Sequence, residues 1–393
     1  MRPVCKTRST ILFIGLTLFS LFFGAGNITF PLIVGVHAGE RIAIALTGFC
    51  ITAVAVPFLG LLATILFEGD YADFFHRLGK IPALILIIIL LGIEGPFGST
   101  PRLITLMFST VKAHLPGIRL AFFSPICCAI IFLFAYKKNR IVALVGRILA
   151  PLLLLSLALL VVKGLLFSPA MHEVATTLSP VTAFTYGLEE GYYTTDLVAS
   201  FFFASLAYAT CRKRVASQHT PPPPADRRRM LLTVSLKGSL LGAFLLGLTY
   251  CGLGSVASKY RTLLGDVPNP LLIATIGHLL LGEWANVTVC TIVVLTCLTT
   301  AIGLAAICSD FLSKKTSVPY VYALIMVLVV TGLISSLEFN GICRLLTPLL
   351  VIAYPTLIVL CFINILHKTC GLRPVKTPFY ATVLIALIIR LYR

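Results

Sequence analysis

About eleven stretches of roughly twenty apolar residues run through this chain, centred near Leu18, Ala53, Ile89, Ile130, Leu155, Ala199, Leu245, Leu295, Val327, Ala353 and Ile385. A helix of about twenty residues crosses roughly 30 Å of hydrocarbon, where only helices and closed barrels satisfy their own backbone. The pattern specifies an all-α polytopic membrane protein with about 11 transmembrane helices. Only 11% of the residues are charged and 58% are hydrophobic, so residues 1–393 read as a single transmembrane domain with no separate soluble unit.

The net charge of +17 raises nucleic acid as a partner, but the basic residues are dispersed among connections between spans rather than gathered on a module. One set of connections holds Arg2, Lys6 and Arg8, then Arg77 and Lys80, Lys137, Lys138 and Arg140, Arg212 to Arg214, Arg227 to Arg229, Lys314 and Lys315, and Lys368, Arg373 and Lys376. The other set holds chiefly Arg41, Lys112, Arg119, Lys163, Lys259 and Arg261. This bias predicts a cytoplasmic N-terminus, and an odd span count then leaves Arg393 outside. The prolines Pro221 to Pro224 read as a stiff spacer in the longest cytoplasmic connection. Met1 to Phe23 has the basic start and apolar run of a signal peptide, yet the apolar pattern continues through Val36, as a span does. The twelve cysteines follow no metal-ligand spacing, and no obligate protein partner is indicated.

Two spans are interrupted. Phe22-Phe-Gly-Ala-Gly-Asn-Ile-Thr-Phe-Pro31 places glycines inside the first, and Gly187-Leu-Glu-Glu-Gly-Tyr-Tyr-Thr-Thr-Asp196 does so in the sixth. Five spans precede the polar segment from Ser168 to Pro180 and five follow it before a terminal one. The halves, about 8–167 and 182–367 with an extra helix about 378–393, thus read as a 5+5 inverted repeat with broken helices 1 and 6. Matched breaks in inverted repeats point to a transporter's central site.

The residue types at the breaks have separable roles. Gly24 and Gly26 let the backbone leave helical dihedrals and let a ligand approach. The amides of Gly24, Ala25 and Gly26 suit an anion and the carbonyls before them a cation. Asn27 braces the turn, and Pro31 suits the first turn of the resumed half-helix. In the second break Gly191 permits close approach, Tyr192 or Tyr193 gates a small cavity, and Thr194, Thr195 and Asp196 cap the next half-helix. The plainer readings are a helix-packing surface for the Gly-Ala-Gly run, solvated boundary acids for Glu189 and Glu190, and an N-cap without ligand contact for Asp196.

These residues resemble the branched-chain amino acid:cation symporters (BrnQ-type carriers, the LIVCS family). The resemblance is carried by Gly24-Ala-Gly-Asn-Ile-Thr-Phe-Pro31, Val34-Gly, Ala38-Gly-Glu40, Phe49-Cys-Ile-Thr-Ala-Val-Ala-Val-Pro57 and Gly95-Pro-Phe-Gly-Ser-Thr-Pro-Arg102. It continues in Glu190-Gly-Tyr-Tyr-Thr-Thr-Asp196, Leu298-Thr-Thr-Ala-Ile-Gly-Leu304 and Pro348-Leu-Leu-Val-Ile-Ala-Tyr-Pro355. It implies the inverted-repeat fold of sodium-coupled amino acid transporters in a bacterial inner membrane. In that frame the substrate carboxylate meets the backbone of Ala25, Gly26 and Asn27, and its ammonium meets the break from Gly191 to Asp196. The coupling ion, Na+ or H+, would lie between the first and eighth spans, with the carbonyls of Ser20 and Phe23 and the hydroxyls of Thr299 and Thr300 as ligands. A plainer role for these threonines is a bond to the preceding helical turn. The chain departs from the family at Thr195, at Glu190, after Arg102, and at Glu94, a position usually apolar. Glu94 either pairs with Arg102 within the membrane or sits at the extracellular boundary.

The expected activity is import of leucine, isoleucine or valine by cation symport through alternating access, with another small neutral amino acid as the alternative substrate. The substrate side chain is expected among Phe19, Phe22, Ile104 and Phe202, each buried methylene contributing about 0.8 kcal/mol. A membrane-embedded enzyme finds little support, since there is no His-Glu-x-x-His and Leu263-Leu-Gly-Asp266 lacks the first glycine of Gly-x-Gly-Asp. A passive channel would need a continuous polar stripe, whereas polar groups concentrate at two breaks and one threonine cluster.

Overall fold

The computed structural model describes residues 3–136, 149–167, 178–216, 224–282 and 285–391. The expectations for Arg2, Lys137, Lys138, Arg140, 168–177, Pro221 to Pro223 and Arg393 lie outside the described residues. The rest is helical, and each of the eleven apolar stretches contains helix. Five helical stretches, 25–66, 80–113, 226–259, 288–316 and 320–370, are long and apolar enough to cross a membrane, and Leu120–Ala135 and Ala150–Leu166 are shorter apolar helices.

The first half comprises α1 (Pro3–Phe22), α2 (Ala25–Ala38), α3 (Ile42–Cys50), a π-helical turn (Ile51–Ala55), α4 (Val56–Leu66), the short α5 (Tyr71–His76), α6 (Lys80–Glu94), α7 (Ser99–His114), α8 (Leu120–Ala135) and α9 (Ala150–Leu166). The second comprises α10 (Pro180–Tyr192), α11 (Asp196–Ala216), α12 (Pro224–Lys259), α13 (Leu272–Leu281), α14 (Ala285–Thr316), α15 (Tyr320–Ile334) and α16 (Glu338–Cys370), after which α17 (Lys376–Leu391) packs on α16. Packing between the halves is reciprocal. The broken helix α1/α2 of the first half lies on α12, the second span of the other half, while α10/α11 lies on α3/α4, the second span of the first. The third spans also meet, α7 against α14.

Three details differ from the sequence reading. Gly24 has φ −112° and ψ −161°, extended backbone open to any residue, so its requirement is spatial. A Cβ there would lie 3.3 Å from the Thr300 methyl and 3.4 Å from Leu103. Pro31 sits inside α2 rather than in its first turn, because the helix already resumes at Ala25; lacking an N–H, it leaves the Asn27 carbonyl without its helical donor. A third span is interrupted as well. It breaks at Gly95 to Gly98 and resumes as α7, because Leu103-Ile-Thr-Leu-Met-Phe108 restores the apolar pattern.

Gly187 and Gly191 serve helix packing. A Cβ on Gly187 would fall 1.9 Å from the Ala45 carbonyl oxygen, and one on Gly191 would fall 1.9 Å from Thr52 Oγ1. Across the interface, a Cβ on Gly48 would fall 2.3 Å from the Phe184 oxygen. Small residues four apart on both helices bring the backbones together, so that Thr52 Oγ1 donates to the Leu188 carbonyl at 2.9 Å.

Candidate functional site

The first break is built by one asparagine. In a continuous helix the Gly24 N–H would bond to the Ser20 carbonyl four residues back. Here it donates to Asn27 Oδ1 at 3.0 Å, which starts α2 and releases Ser20. That carbonyl accepts from Thr299 Oγ1 at 3.2 Å and from Thr300 Oγ1 at 3.4 Å, and the Phe23 carbonyl accepts from Thr300 Oγ1 at 3.2 Å. All four residues assigned to the coupling ion are therefore brought together. Thr299 Oγ1 also lies 2.9 Å from the Thr296 carbonyl, its own preceding turn. Ser20 Oγ is buried and has no hydrogen-bond partner among the described residues. Carbonyl and hydroxyl oxygens form the donor set that a hard cation takes. On the other side of the break, the first-turn amides of Ala25, Gly26 and Asn27 have no acceptor within their helix.

The second break is held by strain and by an arginine. Thr195 adopts φ +65°, a left-handed conformation that costs a β-branched residue about 1–3 kcal/mol. Its hydroxyl lies 2.6 Å from the Thr194 carbonyl and 3.1 Å from Ser99 Oγ. Arg102 enters from α7: Nη1 donates to the Tyr193 carbonyl at 2.8 Å, and Nη2 reaches the Thr194 carbonyl and Thr195 Oγ1 at 3.5 Å. Its positive charge thus stands at the carbonyl end of α10, where the helix dipole favours a cation. Thr194 Oγ1 accepts from the Asp196 N–H at 3.4 Å, the capping role read from the sequence.

One hydrogen-bonded group joins the breaks. Asn27 Nδ2 donates to Asp196 Oδ2 at 2.7 Å and also to the Tyr250 hydroxyl, which itself donates to Asp196 Oδ2 at 3.0 Å. All three side chains are buried. Tyr250, on α12, escaped the sequence reading because a single tyrosine in an apolar span carries no local signal.

Gly24, Ala25, Gly26, Asn27, Thr194, Asp196 and Thr300 line one cavity, together with Glu94, Ser99, Arg102 and Thr195. Its apolar wall is Leu21, Phe22, Leu103, Ala199, Phe203 and Leu304. The cavity measures about 20 Å³, roughly room for one water molecule, and Phe22 meets Phe203 edge to face beside it at 5.0 Å. Gly191, Tyr192 and Tyr193 lie outside its lining. Tyr192 packs on Tyr354 at 4.7 Å and Tyr193 on Phe30 at 5.7 Å. Of the expected wall residues only Phe22 faces the cavity. Leu103 and Phe203 replace Ile104 and Phe202, one residue of register that turns a helical side chain by about 100°. Phe202 instead meets Tyr71 at 5.1 Å. Glu94 is 2% exposed and is no boundary carboxylate, yet no described ion pair joins it to Arg102. Glu189 is exposed and Glu190 half-buried.

A family model described as branched-chain amino acid transport protein matches residues 7–393. Branched-chain amino acid permease BrnQ of Bacillus subtilis (strain 168) is 28% identical over 371 residues, covering 92% of this chain and 82% of that protein. BrnQ of Escherichia coli (strain K12) is 28% identical over 355 residues, with coverages of 89% and 79%. Among solved structures, Mhp1 in an inward-facing conformation aligns with TM-score 0.62 at 13% identity, over 90% of this chain and 77% of that one. MhsT in complex with L-phenylalanine aligns with TM-score 0.58 at 15% identity, over 97% and 98%. Both likenesses concern the fold, the inverted-repeat transporter architecture.

Proposed function

The chain belongs to the branched-chain amino acid transport protein family, and on that premise we propose that it imports leucine, isoleucine and valine by symport with Na+ or H+, through alternating access. It is a multi-pass membrane transporter rather than an enzyme. The observation that carries the finer reading is the composition of the cavity. Helix N-terminal amides without an acceptor in their own helix, buried carboxylates and an apolar wall meet in one place, which matches the carboxylate, ammonium and aliphatic side chain of one small zwitterion. The charges also balance. Glu94 and Asp196 against Arg102 leave one net negative charge when both acids are ionised; a zwitterion does not change it, and one monovalent cation cancels it. At about 20 Å³ the cavity is too small for leucine, so admission requires Phe22 and Phe203 to part, as gates on two broken helices do. The basic bias supports a cytoplasmic N-terminus, and the family reading supports the inner membrane of a bacterium.

Purified protein in liposomes is expected to accumulate labelled leucine under an inward Na+ or H+ gradient and not without one. Isoleucine and valine should compete; stronger competition by phenylalanine, the ligand seen in MhsT, would overturn the branched-chain preference. The double substitution of Thr299 and Thr300 by alanine removes two oxygen ligands. Hydrogen bonds to charged groups are worth about 1.5–3 kcal/mol, so the Na+ concentration for half-maximal uptake should rise at least about tenfold. An unchanged ion dependence would remove the cation from this position.

A further inference from the structure

We infer that Glu94 receives the ammonium group of the transported amino acid; this rests on the amino acid reading above. Glu94 ends α6 at the third break, is 2% exposed, and lines the same cavity as the α2 amides. Its Oε1 has no hydrogen-bond partner among the described residues. A buried carboxylate oxygen left unbonded is costly, because it has surrendered its water for nothing. The neighbouring donors leave Oε1 unbonded, and the other acceptors open to an ammonium are taken. Arg102 spends its Nη groups on the carbonyls of Tyr193 and Thr194 and its Nε has no partner among the described residues, while Ser99 Oγ lies 3.1 Å from Thr195 Oγ1. Asp196 Oδ2 already accepts from Asn27 and Tyr250. The carbonyls of Ser20 and Phe23 accept from the threonines of α14, and the Thr194 hydroxyl donates to the Gly191 carbonyl.

An acceptor without a donor thus stands in a cavity that is also lined by the first turn of α2, whose amides have no acceptor within their own helix. An α-amino acid closes both gaps at once. Its carboxylate takes the amides and its ammonium, with three N–H donors, takes Glu94 Oε1. The third span thereby has a direct part in recognition, beside the two broken helices. It also sets a specificity rule: a ligand that keeps the carboxylate and aliphatic chain but lacks the amine should be rejected, because it leaves Glu94 unpaired.

The test compares leucine with 4-methylpentanoate, the same molecule without its amine, as inhibitors of labelled leucine uptake in liposomes. The wild-type protein is expected to favour leucine strongly. Glu94→Gln should weaken leucine about thirtyfold or more, the usual consequence of losing a buried charged partner, and leave 4-methylpentanoate within about twofold. Glu94→Asp, which keeps the charge but withdraws it by one methylene, should lose less, and it serves as the measurement if Glu94→Gln fails to insert. Equal weakening of both ligands would show that Glu94 only supports the break, and no weakening would show that it touches nothing; either overturns the inference. A wild-type protein that transports leucine but binds the analogue as well also overturns it. Failure of the wild type to transport any amino acid would instead overturn the functional reading on which the inference rests.

Discussion

Asp196→Ala is expected to reduce leucine uptake at least about a hundredfold while lowering stability only modestly. Asp196 Oδ2 is where the two broken helices meet, accepting from Asn27 of the first break and from Tyr250 of α12. Its removal leaves one N–H of Asn27 and the O–H of Tyr250 without an acceptor, at about 1–3 kcal/mol each in a protein interior. Interhelical hydrogen bonds within membranes average nearer 0.6 kcal/mol, because the unfolded helices find other partners, so the melting point should fall by only a few degrees. The functional loss is larger because Asn27 then loses its tie to the second break and keeps only Tyr250 and the Gly24 N–H. Its Oδ1 holds the Gly24 N–H, and that bond frees the Ser20 carbonyl on one side of the break and keeps the α2 amides available on the other. A hundredfold loss corresponds to about 2.7 kcal/mol, which the collapse of one such arrangement supplies. Tyr250→Phe removes one of the two donors and leaves Asn27 on Asp196, so uptake should fall less than about tenfold. Initial uptake rates normalised to reconstituted protein, with melting followed by size-exclusion chromatography after heating, separate the two effects. Equal losses in both variants would shift the organising role from the carboxylate to the hydroxyl.

Much of this arrangement is legible in the sequence because membrane segments announce themselves. Long apolar stretches, glycines at their centres and an odd number of spans per half suffice to argue matched breaks. The threonines of α14 were within reach of the family resemblance, and they do meet Ser20 and Phe23. What stayed hidden depends on register and on long-range partners. Ile104 and Leu103 differ by one position in an all-apolar segment, where no polar face marks the rotation. The third break was masked because Gly95-Pro-Phe-Gly98 reads equally well as the end of a span. Only the apolar run after Arg102 shows that the helix resumes. Tyr250 has no signal at all in sequence, since its function comes from an acid 54 residues away.

Glycines supply the sharpest separation between packing and recognition. Gly187→Ala is expected to abolish recovery of folded protein, whereas Gly24→Ala should insert, extract and melt like the wild type yet transport poorly. The alanine methyl at 187 would sit 1.9 Å from the Ala45 carbonyl oxygen and 2.8 Å from its carbon. These are backbone atoms, so α3 and α10 must separate along their whole contact, and overpacking of this kind costs about 1–3 kcal/mol or more. Separation would also break the bond from Thr52 Oγ1 to the Leu188 carbonyl. At Gly191 the obstacle is a side chain, Thr52 Oγ1 at 1.9 Å, with the Phe49 carbonyl oxygen at 2.9 Å. Thr52→Ala should therefore partly rescue Gly191→Ala, and no side-chain truncation should rescue Gly187→Ala. At Gly24 the nearest atoms are the Thr300 methyl at 3.3 Å and Leu103 Cδ2 at 3.4 Å, which yield by a few tenths of an ångström. The methyl would then stand among Thr300, Leu103 and Asn27 Oδ1, three residues that line the cavity with Gly24. Detergent-solubilised yield and monodispersity read the packing effect, and leucine and Na+ dependence of uptake read the other. Wild-type transport by Gly24→Ala would move the recognition site away from the first break, and a folded Gly187→Ala would show that α3 and α10 yield where their backbones touch.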